Sequence, residues 1–450
     1  MAKSKQKFIC QNCEAVFYKW AGRCENCGEW NSLVEQTLPE VGRSAVARSI
    51  NNGKPLQVNS LNSIPFEEGM KRLKTGIGDL DIILGGGILP GGVTLLAGQP
   101  GIGKSTLLLQ TVSNIAHNYN VLYISGEESA GQVRLRAARL GADKSSNLNF
   151  AASTSADDIA ATIRTGKYQL VVVDSVQTLH LNEITSSPGS ISQITNSSNV
   201  IINAAKETGT SVIFVGHVTK EGSIAGPKIL EHLVDVVLQF EGDRYGGFKI
   251  VRAVKNRYGS TNEAAIFEMG EKGLRIVENP SAALLAERRD EDGSVVLATL
   301  EGARPLLVEI QALVNSTNFG YPKRTASGFD INRLNLLIAV LERRTKLKLS
   351  DKDIYINVVG GIKISDPAAD LAICMAIASA SAGRRLNYGT VVFGEVGLGG
   401  EVRSVTSIEK RIAEAKKLGF TKALAPRTGK DEFIIGVDNV RSTLIEYLQK

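Results

Sequence analysis

Residues 93–97 are Val-Thr-Leu-Leu-Ala, residues 98–105 are Gly-Gln-Pro-Gly-Ile-Gly-Lys-Ser, and residues 105–116 carry a helical pattern. A strand, a glycine-rich turn and a helix in immediate succession constrain the fold more tightly than any other stretch of the chain. The turn can fold its backbone N–H groups around an anion, and the helix offers its positive end to the same charge. The octapeptide fits G-x-x-x-x-G-K-S, so Gly98, Gln99, Pro100, Gly101, Ile102, Gly103, Lys104, Ser105 and Thr106 are the expected phosphate cradle. Lys104 should reach the β- and γ-phosphates of ATP as a point charge, and the Ser105 hydroxyl should take one position on Mg²⁺.

A site of this kind also needs a carboxylate on the metal side, delivered by another buried strand. Residues 170–174 are Leu-Val-Val-Val-Asp, a continuous apolar run suited to a parallel strand, with Asp174 at the carboxyl edge where ligands gather. A third apolar run, residues 121–125, is followed by Gly126-Glu127-Glu128. Glu127 comes first off that strand and is the expected group to polarise the attacking water, whereas Glu128 falls where a helix's first turn favours acids anyway. A fourth run, residues 211–215, leads to His217, which either senses the γ-phosphate or is an ordinary hydrogen-bonded imidazole. Lys220 and Lys228 bound a glycine-rich stretch that reads as a loop, as does the Ser- and Gly-rich stretch 181–194.

Further on, Lys255-Asn256-Arg257-Tyr258-Gly259 places two cations about an asparagine, so that in an extended segment both project to one side. The order of Lys104, Glu127, Asp174, His217 and this pentapeptide resembles the RecA/DnaB class of P-loop ATPases. With the cysteines described below, the chain is similar to the bacterial RadA (Sms) family, whose KNRFG signature differs by one aromatic exchange. The resemblance implies an α/β RecA-like core and an ATP-dependent DNA motor or helicase in recombinational repair. Such a protein would bind single-stranded and branched DNA and drive branch migration or strand extension. It further implies a homo-oligomeric, hexameric ring and a RecA-type recombinase as partner. In ring-forming relatives such basic residues act on a neighbour's nucleotide; Lys255 and Arg257 either do that or contact DNA phosphates. The alternative function is a regulatory ATPase or autokinase of the same superfamily that does not act on DNA.

Cys10, Cys13, Cys24 and Cys27 form two C-x₂-C knuckles separated by ten residues. Two such knuckles complete a tetrahedral thiolate site for Zn²⁺, and iron is the other metal that cysteines alone would suit. No signal peptide precedes them, and a fifth cysteine, Cys374, lies in an apolar helical run, so metal binding is expected rather than disulfides. A module this small cannot bury enough apolar surface to fold unaided. Phe17, Tyr18, Lys19, Trp20 and Arg23 either form its core or face a partner.

The 450 residues are 43% hydrophobic, enough for several cores, and no apolar run approaches the ~20 residues needed to cross a bilayer. A cytoplasmic location is expected. A formal charge of +6 is compatible with basic surfaces without demanding nucleic acid. The expected domains are a zinc finger over 1–35, a linker over 36–70, an ATPase domain over 71–280 with a parallel sheet, and an α+β domain over 281–450.

The last stretch resembles the proteolytic domain of Lon at Gly360-Gly361, Asp366-Pro367-Ala368-Ala369-Asp370 and Gly394-Glu395-Val396. Ala368 stands where that family has its serine, and Glu409 falls near the position of its lysine, so no nucleophile is present to activate and proteolysis is not expected. Within this domain a helix is expected over 331–344, whose Arg333 and Arg344, eleven residues apart, would share one face that either meets DNA phosphates or is an ordinary solvated surface.

Overall fold

The computed structural model describes residues 7–10, 15–30, 32–36, 60, 71–217, 229–242, 248–317, 320–427 and 431–448. The chain divides into two units, residues 1–68 and 69–450. Cys13, Lys220 and Lys228 lie outside the described residues.

In the first unit, strand Lys7–Cys10 pairs antiparallel with Val16–Phe17 on one side and Leu33–Gln36 on the other. Its core is Cys10, Cys24 and Leu33, with Phe8, Phe17 and Ala21 packed against them. Tyr18, Trp20 and Trp30 are exposed, so of the aromatics between the knuckles only Phe17 joins the core.

The second unit is built around a nine-stranded sheet. Its order is Gly273–Ile276, Ala264–Gly270, Phe248–Asn256, Val236–Gly242, Val93–Gly98, Ser211–His217, Leu170–Asp174, Val121–Ser125 and Leu148–Ala152. The strands carrying the apolar runs are central, parallel and buried along nearly their whole length. Because side chains alternate across a strand, Val93, Leu95 and Ala97 enter one core while Leu96 enters the core on the opposite face.

A wholly parallel sheet is not what forms. Val236–Gly242 is the last parallel strand, and the three strands beyond it run antiparallel to their neighbours. Chain length decides this, because a parallel return needs a crossover of a dozen or more residues. Only five residues separate Gly242 from Phe248, and two separate Gly270 from Gly273.

Beyond residue 280 a second sheet of seven strands forms, in the order Arg324–Ser327, Lys352–Val358, Arg304–Ser316, Ser294–Glu301, Thr390–Val392, Lys422–Pro426 and Ile434–Val437. Helix Ala369–Ala382 is buried on every side from Ala369 to Ser379, which its alanines and serines permit by allowing close approach. Cys374 is fully buried there, and burial pushes its thiol well above the usual range, as suits a small core side chain.

Ala368 sits at the foot of this helix, fully buried, its N–H donating to Asp366 Oδ1 at 3.0 Å. The other oxygen, Asp366 Oδ2, accepts from Arg411 at 2.7 Å and from Thr299 Oγ1 at 3.0 Å. Arg411 is enclosed and also donates to the carbonyls of Ala298 and Thr406. Burial alone would raise the Asp366 carboxyl, but the Arg411 hydrogen bond and charge, with two backbone N–H groups, hold it below its ordinary value. A carboxyl depressed in this way contributes stability that is fully present above its ordinary value and is lost as pH falls through the depressed one. Replacing Arg411 by Met leaves a buried unpaired carboxylate and should cost about 3–5 kcal/mol. Denaturant unfolding at neutral pH checks this; a loss below about 1 kcal/mol would show the pair is not buried as described.

The basic stripe expected on residues 331–344 is not present. The α-helix is Ile331–Val340, and a π-helical turn over Leu341–Thr345 comes after it, in which the Thr345 hydroxyl donates to Leu341 O at 2.5 Å. That turn changes the residues per turn, so the eleven-residue spacing no longer keeps Arg333 and Arg344 on one face. Arg333 is also committed elsewhere: its Nε donates to Asp370 Oδ1 at 3.0 Å, a second guanidinium nitrogen contacts Asp370 Oδ2, and Val396 O accepts at 3.3 Å. Asp370 is buried, so this pair holds the domain together and Arg333 is withdrawn as a phosphate contact. Arg343, Arg344, Lys346 and Lys348 remain exposed, with Arg344 touching Leu398 O at 3.3 Å.

Candidate functional site: the nucleotide pocket

Four strands of the larger sheet end together at its carboxyl edge, and each brings one of the expected groups. Gly98 must be glycine because a Cβ there would lie 2.6 Å from Phe240 O of the adjacent strand. Gly101 and Gly103 have φ of 78° and 118°, left-handed values that turn the loop into helix Lys104–Ile115.

Lys104 is buried, with its ammonium donating to Gly98 O at 2.8 Å and Gln99 O at 3.0 Å. A third contact, 3.1 Å, goes to His217 Nδ1. An ammonium has no lone pair, so it donates here and His217 Nδ1 accepts, which puts the imidazole hydrogen on Nε2. That nitrogen is 3.5 Å from Glu127 Oε1. Burial pushes the Lys104 pKa down to about 8, with Asp174 and Glu127 opposing the fall. Three acceptors that nucleotide phosphates could replace therefore hold the lysine.

Ser105 Oγ donates to Asp174 Oδ2 at 2.7 Å, and the Tyr123 hydroxyl donates to the same oxygen at 2.6 Å. Burial first, then the Asp174 charge, pushes the Tyr123 phenol well above its ordinary value, so it is a neutral donor. A hydroxyl and a carboxylate held together are hard oxygen donors of the kind Mg²⁺ takes, alongside substrate phosphates and water. Glu127, half-exposed, accepts from Ser175 Oγ at 2.5 Å. Tyr123 and Ser175 were not legible as site residues. Tyr123 looks like strand filling in an apolar run, and Ser175 carries no signal beyond following Asp174.

Lys255 and Arg257 do not join this pocket. Strand Phe248–Asn256 runs opposite to its neighbour, so its end lies at the amino edge of the sheet, beside Val93. Gly98 is five residues along from Val93, about 16 Å at ~3.3 Å per residue. Lys255 donates to the carbonyls of Glu231 and Val234, each at 2.7 Å, and its pKa is lowered by burial and by the nearby Arg257. Arg257 pairs with buried Asp235 at 3.1 Å while half its side chain remains exposed. Arg257 falls in the turn after the strand, and both cations contact residues 231–235. The pentapeptide also touches the 84–87 turn: a Cβ on Gly85 would meet Tyr258 O at 2.8 Å, and Arg72 donates to both Gly87 O and Tyr258 O at 3.2 Å.

In the first unit, the sulfurs of Cys10, Cys24 and Cys27 lie within 4.8 Å of one another, and Cys10 Sγ is 3.6 Å from Cys27 Sγ. Ligands at ~2.3 Å in a tetrahedron are about 3.8 Å apart, so these thiolates fit one metal ion. The separation is far beyond the ~2.05 Å of a disulfide.

Strand order, a phosphate loop, a carboxylate bonded to the loop's serine and a buried lysine together define a P-loop ATPase. Consistent with this, a family model described as "AAA domain" matches residues 69–223, "Rubredoxin metal binding domain" matches residues 8–35, and "Subunit ChlI of Mg-chelatase" matches residues 334–429. The chain is 48% identical over 457 aligned positions to the DNA repair protein RadA of Bacillus subtilis, covering 99% of each chain. It is 46% identical to the protein of that name from Pseudomonas aeruginosa, covering 95% of this chain and 94% of the other. The chain belongs to the RadA family of DNA repair proteins. Among solved structures, an isolated ATPase domain aligns at TM-score 0.42 and 17% identity, covering 47% of this chain and 94% of that one. Among the described residues no helix is long and apolar enough to cross a membrane.

Proposed function

We propose that the chain is a DNA-dependent ATPase that couples hydrolysis to movement on single-stranded or branched DNA, promoting branch migration or strand extension in recombinational repair. The observation that carries the reading furthest is the position of Arg257: half-exposed at the edge of the sheet away from its own Lys104, it is out of reach of its own nucleotide site and is proposed to complete that of a neighbouring subunit. An arginine supplied in trans makes each site depend on assembly, which is how a ring, here inferred to be a hexamer, couples successive subunits. Lys255, fastened to the Glu231 and Val234 carbonyls at the end of helix Ile229–Leu233, orients the segment that carries Arg257.

Within one subunit Lys104 clamps the β- and γ-phosphates, Ser105 and Asp174 hold Mg²⁺, and Glu127, oriented by Ser175, polarises water. The magnesium ion supplies charge neutralisation at the phosphate oxygens. Nucleotide that draws Lys104 away leaves His217 with Glu127 as its remaining partner, so His217 can report phosphate occupancy to the residues that follow it in sequence. Lys220, Lys228 and Arg344 are the candidate DNA contacts, and a RecA-type recombinase is the expected partner. On forked substrates the protein should separate or extend strands with ATP and fail with a non-hydrolysable analogue; equal activity with both would contradict a motor.

The metal of the first unit is proposed to be zinc, held by Cys10, Cys24, Cys27 and Cys13 and inert to redox. Trp20 and Trp30, the chain's two tryptophans, both lie in this unit, and Arg23 stands 5.8 Å over the Trp30 ring. Chelation under reducing conditions should therefore change tryptophan emission and release about one zinc per chain, while ATP binding persists. Emission that ignores the chelator, with no zinc released, would refute the assignment.

A further inference from the structure

We propose that Tyr123 is a positioning residue for Mg²⁺, acting through Asp174; the proposal rests on the reading of Asp174 as the metal-side acid. Tyr123 is 1% exposed in the middle of strand Val121–Ser125, among the apolar residues beneath helix Lys104–Ile115. Phenylalanine would fill the same space, so packing does not explain the hydroxyl. A buried phenol requires a partner, and here the partner is the carboxylate at the end of the adjoining strand, 2.6 Å away.

The two donors on Asp174 Oδ2 differ in what else they must do. Ser105, at 2.7 Å, is itself an expected Mg²⁺ ligand, so its bond to the carboxylate competes with that duty. Tyr123 comes from the core side, and although its hydroxyl also lies beside Ser105, it is not itself an expected Mg²⁺ ligand. It is therefore the group able to keep the carboxylate oriented whichever way the Ser105 hydroxyl turns. Outer partners of metal-binding groups commonly change metal affinity 10–100-fold when removed.

The test is Tyr123→Phe in the full chain, with binding of a fluorescent ADP analogue measured in EDTA and across a Mg²⁺ titration. Affinity in EDTA should stay within about twofold of wild type, and the Mg²⁺ concentration giving half the effect on binding should rise about tenfold. An unchanged Mg²⁺ midpoint overturns the proposal. So does an equal loss of affinity in EDTA and in Mg²⁺, which is what a packing defect gives. Tyr123→Met, which also lacks the hydroxyl, should show the same shift, and thermal unfolding identifies a variant that has lost its fold. Asp174→Asn is measured alongside. Should it leave the Mg²⁺ dependence intact, the assignment of Asp174 itself fails, a result distinct from an unresponsive Tyr123→Phe.

Discussion

Arg257→Ala should bind ATP as wild type does and hydrolyse it at least about a thousandfold more slowly, the range over which arginine fingers act on phosphoryl transfer. The expectation comes from placement: Arg257 cannot reach its own phosphate loop, and half of its side chain is open at the sheet edge. A structural role makes a different prediction. Asp235, which Arg257 pairs, is buried and also accepts from Val93 N at 3.0 Å, so losing the arginine strands a carboxylate next to a core strand. Were that the whole effect, the variant would unfold at lower temperature and lose binding and hydrolysis together.

Lys104→Ala should abolish measurable hydrolysis, a loss of at least about a hundredfold, because the ammonium meets charge that develops on the phosphates during transfer. Folding should be undisturbed or slightly improved, since a cation whose pKa burial has pushed down to about 8 is held at a cost in this pocket. The two inactive variants also test each other. Mixed one to one and allowed to exchange subunits, they form interfaces where an intact Lys104 of one variant faces an intact Arg257 of the other. About a quarter of interfaces then regain activity by random assembly. No recovery on mixing, with exchange demonstrated, would place Arg257 outside a neighbour's site.

Much of the pocket was legible in sequence because its parts are local. The phosphate loop is one contiguous turn, and Asp174 and Glu127 come after apolar runs whose burial on both faces leaves only a central parallel strand as their place. Contact between distant segments was not legible. Tyr123 meets Asp174 across two strands, and Lys104 meets His217 over a separation of 113 residues. Arg333 looked free because its partner, Asp370, lies 37 residues on.

The antiparallel margin of the larger sheet escaped for another reason: apolar runs show that strands exist but not which way they run, and connection length is the clue to direction. The helix ending at Val340 escaped because Leu341 is buried in continuation of the apolar pattern, and only the π turn and the Thr345 bond to Leu341 O mark the change. In the first unit the knuckle spacing announced a metal, whereas which aromatics faced outward depended on how three short strands pair.

The central claim is that hydrolysis in this pocket is coupled to polynucleotide. The most direct measurement is the steady-state ATPase rate of the full chain at low salt, with and without single-stranded DNA. A rate that rises several-fold with DNA, and does so in neither Lys104→Ala nor Arg257→Ala, is the predicted result. An ATPase that turns over at the same rate whether or not DNA is present, and does not bind it, would contradict the account and favour a regulatory ATPase.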